Sequence, residues 1–430
     1  MIPIYDSAAM PLSQILYRGE EEKNAEVEAA TAEILRRVRM EGDAALYDYT
    51  ERFDHVRLDS LRVSEEEIEA AFAAADAALL ATMRQAAENI RRFHALQLRQ
   101  EQRLELEDGI ILGQRFTPLE RVGLYVPGGT AAYPSSVLMS AIPAALAGCP
   151  EILMVSPPRP DGSIHPDILT AAKIAGVTAI FKLGGAQAVA ALAYGTESVP
   201  KADKIVGPGN IFVATAKRQV FGLVDIDMIA GPSEILIVAD SHANPAHVAA
   251  DMLSQAEHDR MATAVLICLD RAMAEAVQAE LERQLPLLKR VEIARASIEN
   301  QGKIIIANDL AAAIKIANAI APEHLELCLA DPFAYLPLVQ NAGSIFLGNH
   351  SPEPLGDYWA GPNHVLPTAG TARFSGPLSV DDFVKRSSYL YYTPLALEKA
   401  AADVIRFAEH EGLGAHANSV AIRIRKDNEN

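Results

Sequence analysis

The chain has 430 residues, half of them hydrophobic, with 26 Gly and 25 Pro, which is typical of a globular protein of roughly two to four domains. Its formal net charge of −18 argues against a nucleic-acid partner, because phosphate binding needs a basic face. An apolar run of about 18 residues, as a membrane span would require, does not occur.

Three cysteines, Cys149, Cys268 and Cys328, lie far apart in apolar runs and show no CxxC spacing. An odd and scattered set of this kind predicts reduced thiols in the core rather than disulfides or a cysteine-based metal site. The N-terminus also lacks the basic-then-apolar pattern of a secretory signal. We therefore expect a cytoplasmic protein.

The N-terminal quarter differs in pattern from the remainder of the chain. Residues 1–21 have little periodicity and predict an arm that packs on another part of the protein. Over 22–121 charges interleave with Ala and Leu, which predicts amphipathic helices, and Ser64 with Glu67 forms a capping box. We expect this helical segment to pack with the second of the α/β domains that follow it.

From residue 122 onward, short apolar runs alternate with helical stretches. This rhythm predicts α/β structure, with parallel sheets covered by helices on both faces. Two successive blocks predict two Rossmann-like domains, over 122–233 and 234–378. The return of helical patterning from 379 predicts a small helical C-terminal domain and tail over 379–430.

Several glycine turns follow the predicted strands of the first block, although no full GxGxxG is present. Glycines at the carboxyl ends of parallel strands allow backbone N–H groups to approach a phosphate or ribose. Tyr125, Gln187 and Asn210 lie in or beside these turns and could contact a nucleotide. The alternative is that the glycines only form tight strand-to-helix turns.

Gln255 and His258 lie three residues apart at the end of a helical pattern over 245–259, so they share one helix face. An amide oxygen and an imidazole on one face provide half of a metal site, which a carboxylate and a second imidazole would complete. The alternative is a helix end whose polar residues cap the last turn and face water.

Three further segments combine acids with histidines. Glu323 and His324 adjoin where a predicted helix meets a strand, so one could activate water while the other takes a proton from an alcohol. Asp357 and His364 lie in a loop rich in Gly and Pro, as candidates for a metal ligand and a substrate contact. Gly412 and Gly414 predict a break in the helix before His416, which could turn His416 back into a site. Each could instead be a solvent-facing residue.

Taken together, these segments resemble the histidinol dehydrogenase family in order along the chain. The matching segments are GLYVPGG (123–129), GGAQAVAAL (184–192), VGPGN (206–210), AGPSE (230–234), LSQAEH (253–258), APEHLEL (321–327), GDYWAGPNHVLPT (356–368) and GLGAHANSV (412–420). Each segment alone is weak evidence for the resemblance, but the full set in this order is specific to the family.

The resemblance implies an enzyme that oxidises L-histidinol to L-histidine through L-histidinaldehyde with two NAD⁺, in the last steps of histidine biosynthesis. It implies bound zinc, with manganese also compatible with a mixed nitrogen and oxygen ligand set. In this family the last metal ligand comes from a second subunit. The resemblance therefore implies a homodimer in which Glu411 and His416 cross the interface.

The roles that the resemblance implies fall on the residues above, together with Ser233. The implied zinc ligands are Gln255, His258, Asp357 and His416. The implied acid–base pair is Glu323 and His324, and the implied NAD contacts are Tyr125, Gln187 and Asn210. The implied substrate contacts are Ser233, Gln255, His258, Glu323, His324, Asp357, His364, Glu411 and His416.

Three other functions remain possible from the residues. One is a related zinc dehydrogenase for a different small alcohol, against which His364 and Glu411 argue if they read the imidazole and amine of histidinol. Another is a metal-dependent hydrolase in which Glu323 activates water without a redox step. The third is a non-catalytic nucleotide-binding module, which would have no need of both metal residues and the Glu323–His324 pair.

Overall fold

The computed structural model describes residues 1–15, 25–128 and 132–425. The predicted boundary between residues 21 and 22, Gly129 of the first glycine turn and the last five residues of the tail lie outside these ranges. The described chain forms two compact units. One comprises Met1–Gln97 and Leu119–Phe383, and the other comprises Leu98–Pro118 and the residues from Val384 onward.

The strands, in chain order, are β1 (Ile4–Asp6), β2 (Gln102–Glu105), β3 (Ile111–Pro118), β4 (Arg121–Tyr125), β5 (Glu151–Ser156), β6 (Ala179–Lys182), β7 (Lys204–Val206), β8 (Asp225–Ile226), β9 (Glu234–Ala239), β10 (Thr263–Cys268), β11 (Lys303–Ile306), β12 (His324–Cys328), β13 (Ser344–Leu347) and β14 (Val384–Tyr391).

The α-helices, in chain order, are α1 (Leu12–Ile15), α2 (Ala25–Glu41), α3 (Asp43–Asp54), α4 (Glu65–Ala74), α5 (Ala77–Ala95), α6 (Pro134–Ala147), α7 (Pro166–Ala175), α8 (Gly185–Tyr194), α9 (Ile211–Val220), α10 (Pro245–Ala256), α11 (Arg271–Gln284), α12 (Val291–Asn300), α13 (Leu310–Ile320), α14 (Pro332–Tyr335), α15 (Glu353–Leu355), α16 (Pro394–His410) and α17 (Gly414–Ile424).

The first parallel sheet has the strand order β6-β5-β4-β7-β8. After β4 the chain adds two strands on one side and then two on the other, so the direction of winding reverses beside β4. In such sheets the carboxyl ends of the strands at the reversal form a ligand crevice. Tyr125 ends β4, and the turn from Gly207 to Asn210 follows β7. This sheet is the first predicted Rossmann-like block.

The second parallel sheet has the order β1-β11-β10-β9-β12-β13. All six residues of its central strand β9 are buried, as expected for a parallel sheet covered on both faces. Ile235 and Ile237 pack with α10, α11 and α12, while Leu236 and Val238 pack with α13 on the opposite face. The α/β class with two Rossmann-like sheets is therefore confirmed. The N-terminal arm contributes β1 to the edge of this sheet.

The N-terminal helices pack on the first sheet, so the prediction that they pack with the second α/β domain is wrong. Helix α2 contacts α8 and α9, α4 contacts α7, and α5 contacts α6 and α7. Their apolar faces enter the two cores around the first sheet, through Leu35 and Val38 of α2 and through Ala87 and Ile90 of α5. The predicted capping box is confirmed, because Ser64 and Glu67 exchange both hydrogen bonds at the start of α4.

The smaller unit contains an antiparallel sheet of order β14-β3-β2 and the paired helices α16 and α17. Helical structure predicted over this part of 22–121 and at the start of 379–430 is therefore wrong. The eight pairs between β3 and β14 join residues more than 250 positions apart, and local periodicity does not reveal such a pairing. Gly412, with φ of 75°, separates α16 from α17 as predicted.

The three cysteines are free and buried, as predicted. Burial raises the pKa of the Cys149 and Cys268 thiols to about 11, so both remain protonated near neutrality. Among the described residues, no helix combines the length and apolar character needed to cross a bilayer.

Candidate active site

Glu323 and His324 stand at the amino-terminal edge of the second sheet. Helix α13 ends at Ile320, Ala321 adopts a left-handed conformation with φ of 53°, and His324 begins β12. Glu323 Oε2 accepts a hydrogen bond from the Glu234 backbone N–H at 2.8 Å, and His324 Nδ1 lies 2.9 Å from the Glu234 backbone oxygen. Both side chains are therefore held by the first residue of β9.

The hydrogen bond to the Glu234 carbonyl sets the tautomer of His324. A carbonyl oxygen only accepts, so Nδ1 must carry the proton and Nε2 has the free lone pair. Nε2 is buried and has no hydrogen-bond partner among the described residues. Burial lowers the pKa of His324 to about 4, so the imidazole is neutral near pH 7. Nε2 is thus a base whose lone pair has no hydrogen-bond partner among the described residues and is available to a substrate.

Burial also raises the pKa of Glu323 well above its ordinary value, against the lowering effect of the Glu234 N–H. Its side chain lies 3.6 Å from His324 Nδ1. Burial therefore favours the protonated form of this carboxyl group. A positive charge in the site would favour the ionised form.

Asp357 and His364 lie in the predicted Gly-Pro loop, where the structure brings them together. Asp357 belongs to a π-helical turn over Gly356–Ala360. His364 Nδ1 lies 3.0 Å from the Asp357 backbone oxygen and 3.7 Å from its carboxylate Oδ1. Burial lowers the pKa of His364 to about 4. The loop is held on helix α5, since Asn89 Nδ2 donates to the Trp359 backbone oxygen at 2.8 Å.

Glu353 is a site residue that the sequence patterns did not indicate. Ligand atoms of Glu353, Asp357 and His324 all lie within 4.8 Å of one another, a grouping that could hold a metal ion. Glu353 Oε1 is 3.9 Å from His324 Nε2, and the Glu353 backbone N–H donates to Glu326 Oε1 at 2.8 Å. The signal available in the sequence was an acid between Pro352 and Pro354, just before the Gly-Pro loop, and the structure shows that this acid is buried.

Gln255 and His258 come from the end of α10, which leads into β10 at the same amino-terminal edge. Gln255 is only 1% exposed, and its Oε1 has no hydrogen-bond partner among the described residues. His258 is open to solvent on one side, while desolvation by the surrounding protein lowers its pKa. His258 also interacts electrostatically with both His324 and His364, so it lies close to them. Half-buried Ser233 directly precedes Glu234.

The predicted nucleotide residues lie at the carboxyl edge of the first sheet. The Tyr125 hydroxyl accepts from the Gly185 N–H at 3.1 Å, at the start of α8. Gln187 is 1% exposed, and its Oε1 has no hydrogen-bond partner among the described residues. Asn210 Oδ1 caps α9 by accepting from Phe212 and Val213, a role that needs no ligand.

Close packing explains part of the glycine pattern. A Cβ at Gly207, whose φ is 109°, would lie 2.1 Å from the Tyr125 carbonyl oxygen, so only glycine fits between these two strand ends. Backbone packing alone therefore accounts for the glycine at position 207, whether or not a nucleotide binds beside it.

Comparison with known proteins agrees with this arrangement. The family model described as histidinol dehydrogenase matches residues 17–424. The histidinol dehydrogenase of Geobacter sulfurreducens is 56% identical over 414 residues, covering 96% of each chain. The histidinol dehydrogenase of Listeria monocytogenes serovar 1/2a is 53% identical and covers 97% of each chain. The crystal structure of histidinol dehydrogenase from Elizabethkingia anophelis superposes with a TM-score of 0.93 at 38% identity, covering 98% of each chain.

The chain belongs to the histidinol dehydrogenase family. The resemblance inferred from the eight ordered segments is thus confirmed, and the protein is a member of a family of dehydrogenases, which are oxidoreductases. The structural match also agrees with the fold described above.

In this member of the histidinol dehydrogenase family, two of the expected site residues lie in the smaller unit. Glu411 follows the last residue of α16, and His416 lies in the first turn of α17. Both are exposed in the single chain. Their roles at a metal or substrate remain predictions, as do the individual roles of the other site residues.

Proposed function

We propose that the protein catalyses the four-electron oxidation of L-histidinol to L-histidine through L-histidinaldehyde, with zinc and two molecules of NAD⁺. The observation that carries this proposal is the position of His324. Its Nδ1 is held by the Glu234 carbonyl, and its Nε2 is an unpartnered base among Glu353 and Asp357. Membership of the histidinol dehydrogenase family supports the same substrate.

Gln255, His258 and Asp357 would hold the metal, together with His416 of the partner subunit. The residue types fit a zinc ion, because a buried amide oxygen without a partner, imidazoles and a carboxylate form a mixed nitrogen and oxygen donor set. Of these residues, Asp357 also lies in the cluster with His324 and Glu353. When bound, zinc would orient the imidazole and amine of histidinol, and NAD⁺ would act as the two-electron acceptor in each oxidation. Manganese would suit the same donors.

In the first oxidation, His324 Nε2 would take the hydroxyl proton, while the C–H hydrogen would leave the alcohol carbon with two electrons, as a hydride, to NAD⁺. The neutral imidazole is ready for this task, because its pKa is lowered to about 4 and its other nitrogen is committed to Glu234. The product of this step is the aldehyde, and the proton then leaves from Nε2.

In the second oxidation, the Glu323 carboxylate takes a proton from the water that attacks the aldehyde carbon. The resulting gem-diolate would give up its C–H hydrogen with two electrons, as a hydride, to a second NAD⁺, and loss of the remaining hydroxyl proton would leave the carboxylate of histidine. Burial raises the pKa of Glu323, which makes its ionised form a stronger base than an exposed glutamate. The overall reaction consumes one water and releases three protons with two NADH.

Recognition of the substrate falls on Ser233, His364, Glu411 of the partner subunit and the metal and acid–base residues already named. Tyr125, Gln187 and Asn210 would contact NAD⁺ at the carboxyl edge of the first sheet. The unpartnered Oε1 of Gln187 suits a hydrogen-bond donor on such a ligand. The active form in this proposal is a homodimer.

The test combines metal analysis of the purified protein with an assay for NADH formed from L-histidinol. We expect about one zinc per subunit, two NADH per histidinol consumed, and loss of activity on chelation that zinc restores. NADH formation with other small amino alcohols but not histidinol would point to a related dehydrogenase. Substrate turnover without NADH would contradict the redox proposal.

A further inference from the structure

Helix α3 begins beside the end of helix α8. At the start of α3, Asp43 Oδ1 accepts from Thr196 Oγ1 at 2.6 Å and from the Ser198 N–H at 3.2 Å, both just beyond the end of α8. The two helices contact each other, and Leu46 and Tyr49 share a core cluster with Ala186 and Ala190.

Helix α3 ends at Asp54, and seven residues later the Leu61 carbonyl accepts from the Lys182 N–H at the carboxyl end of β6 at 2.7 Å. A second observation places Asp54 near the first turn of α8. The negative charge of Asp54 contributes to raising the pKa of Tyr125, after burial, and the Tyr125 hydroxyl contacts the N–H of Gly185 in that same first turn. Asp54 thus belongs to the carboxyl edge of the first sheet, although it comes from the N-terminal helical segment.

Asp54 and Gln187 each have a buried oxygen atom that accepts no hydrogen bond within the described part of the chain. Asp54 Oδ2 and Gln187 Oε1 are both buried without a hydrogen-bond partner among the described residues. Buried oxygen atoms are nearly always paired, so a missing donor indicates a ligand or water that supplies one. The N-cap position of α8 is Gly184, which provides no side-chain cap. A ligand here must bring hydroxyl or amino donors, which a phosphate group lacks.

Dinucleotide sites in Rossmann folds commonly have an acid at the end of the second strand, where it accepts a hydrogen bond from the adenosine ribose. In this sheet the second strand is β5, and it ends with Ser156 followed by Pro157 and Pro158. The sheet therefore lacks that acid. Asp54 is an acid that reaches the same edge from outside the sheet.

We propose that Asp54 accepts a hydrogen bond from the 2′-hydroxyl of the adenosine ribose and that its negative charge selects NAD⁺ over NADP⁺. This inference rests on the proposed function, because it requires a dinucleotide cofactor. A carboxylate at the 2′ position gains a charge-assisted hydrogen bond with a hydroxyl, whereas it repels a 2′-phosphate. Burial raises the pKa of Asp54 only to about 6, so the group is ionised at pH 8.

The test measures dissociation constants for NAD⁺ and NADP⁺ by isothermal titration calorimetry at pH 8, without substrate. We expect Asp54→Asn to weaken NAD⁺ binding roughly tenfold and to bring the NADP⁺ to NAD⁺ ratio of dissociation constants down by at least as much. Asp59→Asn is the matched control, because Asp59 is exposed in the following loop and the substitution removes the same charge. Equal behaviour of the two variants would overturn the proposal.

A ligand variant tests the same contact without altering the protein. The NAD⁺ analogue with 2′-deoxyadenosine should bind the unaltered protein roughly tenfold more weakly than NAD⁺, and should bind Asp54→Asn no more weakly than NAD⁺ does. Unchanged binding of the analogue to the unaltered protein would refute the ribose contact, even if Asp54→Asn failed to fold. Absence of any NAD⁺ binding to the unaltered protein would instead refute the proposed function itself.

Discussion

The two adjacent residues Glu323 and His324 are held by the backbone of a single residue, through the N–H and the C=O of Glu234. A helix-to-strand junction thus presents an acid and a base whose pKa values are shifted in opposite directions by the same burial. Two successive proton transfers with different acceptors require two groups whose pKa values are separated in this way.

The roles assigned to this pair predict different losses in the two oxidations. His324→Ala should lower histidinol oxidation by about 10²- to 10⁴-fold, because it removes the base for the alcohol proton. Glu323→Gln should mainly lower oxidation of supplied L-histidinaldehyde, since the amide cannot take a proton from water. NADH formation measured separately from each substrate tests both variants. Equal losses in both steps would contradict the assignment.

The raised pKa of Glu353 leads us to expect that the stability of the metal-free protein depends on pH. Burial, and then the charge of Asp357, raises the pKa of its carboxyl group to about 9. The folded protein then holds a proton that the unfolded chain releases above about pH 4.5, so the free energy of unfolding falls as the pH rises. Between pH 6.5 and 8.5 this one group contributes at most about 1.4 kcal/mol per pH unit.

The measurement is urea unfolding of the metal-free protein at several pH values across that window. Glu353→Gln should reduce the slope, because an amide does not titrate. Buried Glu323 and Glu326, whose pKa values are also raised by burial, leave part of the slope in place. Glu275→Gln, on the exposed side of α11, is the charge-matched control and should leave it unchanged. A slope equal in both variants would refute the prediction.

The loop that carries Asp357 and His364 depends on a glycine at its centre. Gly361 has φ of 114°, and a Cβ there would lie 2.6 Å from the Asn89 carbonyl oxygen of α5. Gly361→Ala should therefore lower the free energy of unfolding by about 1–3 kcal/mol and weaken zinc binding by displacing Asp357. Thermal unfolding of the metal-free protein and competition with a chromogenic chelator measure the two effects.

Gly376→Ala provides the matched comparison. Gly376 is exposed, and a Cβ there would meet no heavy atom within 4 Å. We expect this variant to keep both the stability and the zinc affinity. If Gly361→Ala binds zinc as tightly as Gly376→Ala, the loop does not position a ligand.

The elements that were predicted wrongly share one cause. Strands β3 and β14 pair across the chain, and each has only about eight residues with little alternation between buried and exposed positions. Their state is set by the partner strand rather than by local propensity. Ser64 and Glu67, in contrast, form a contact within four residues, so the start of α4 could be read from the sequence.

The proposed homodimer makes a prediction that depends on the whole assembly. If His416 of the partner subunit completes each site, His416→Ala and Glu323→Gln homodimers should both form little histidine from histidinol, which is the activity to be measured. A mixed dimer should regain one intact site, since the Glu323→Gln subunit donates its normal His416 to the other subunit. Refolding the two variants together in equal amounts should yield up to roughly a quarter of normal activity.

The control for this experiment is a mixture in which the two variants are kept folded and are combined only in the assay. That mixture should remain inactive as long as subunits do not exchange. If refolding the variants together restores no activity while heterodimers form, His416 acts within its own subunit or has no role in the site.

The sequence alone was sufficient for features that depend on a periodic pattern or on contacts between residues close together along the chain. Alternating strands and helices, the capping box, the glycine break at residue 412 and the ordered family segments are such features, and they indicated an α/β dehydrogenase. Folding in three dimensions decided where the N-terminal helices pack, which strands form the small sheet, and that Glu353 and Asp54 join the two candidate sites. Those features depend on contacts between residues distant in sequence and on burial, which shifts a pKa or leaves an oxygen without a partner only once the chain has folded.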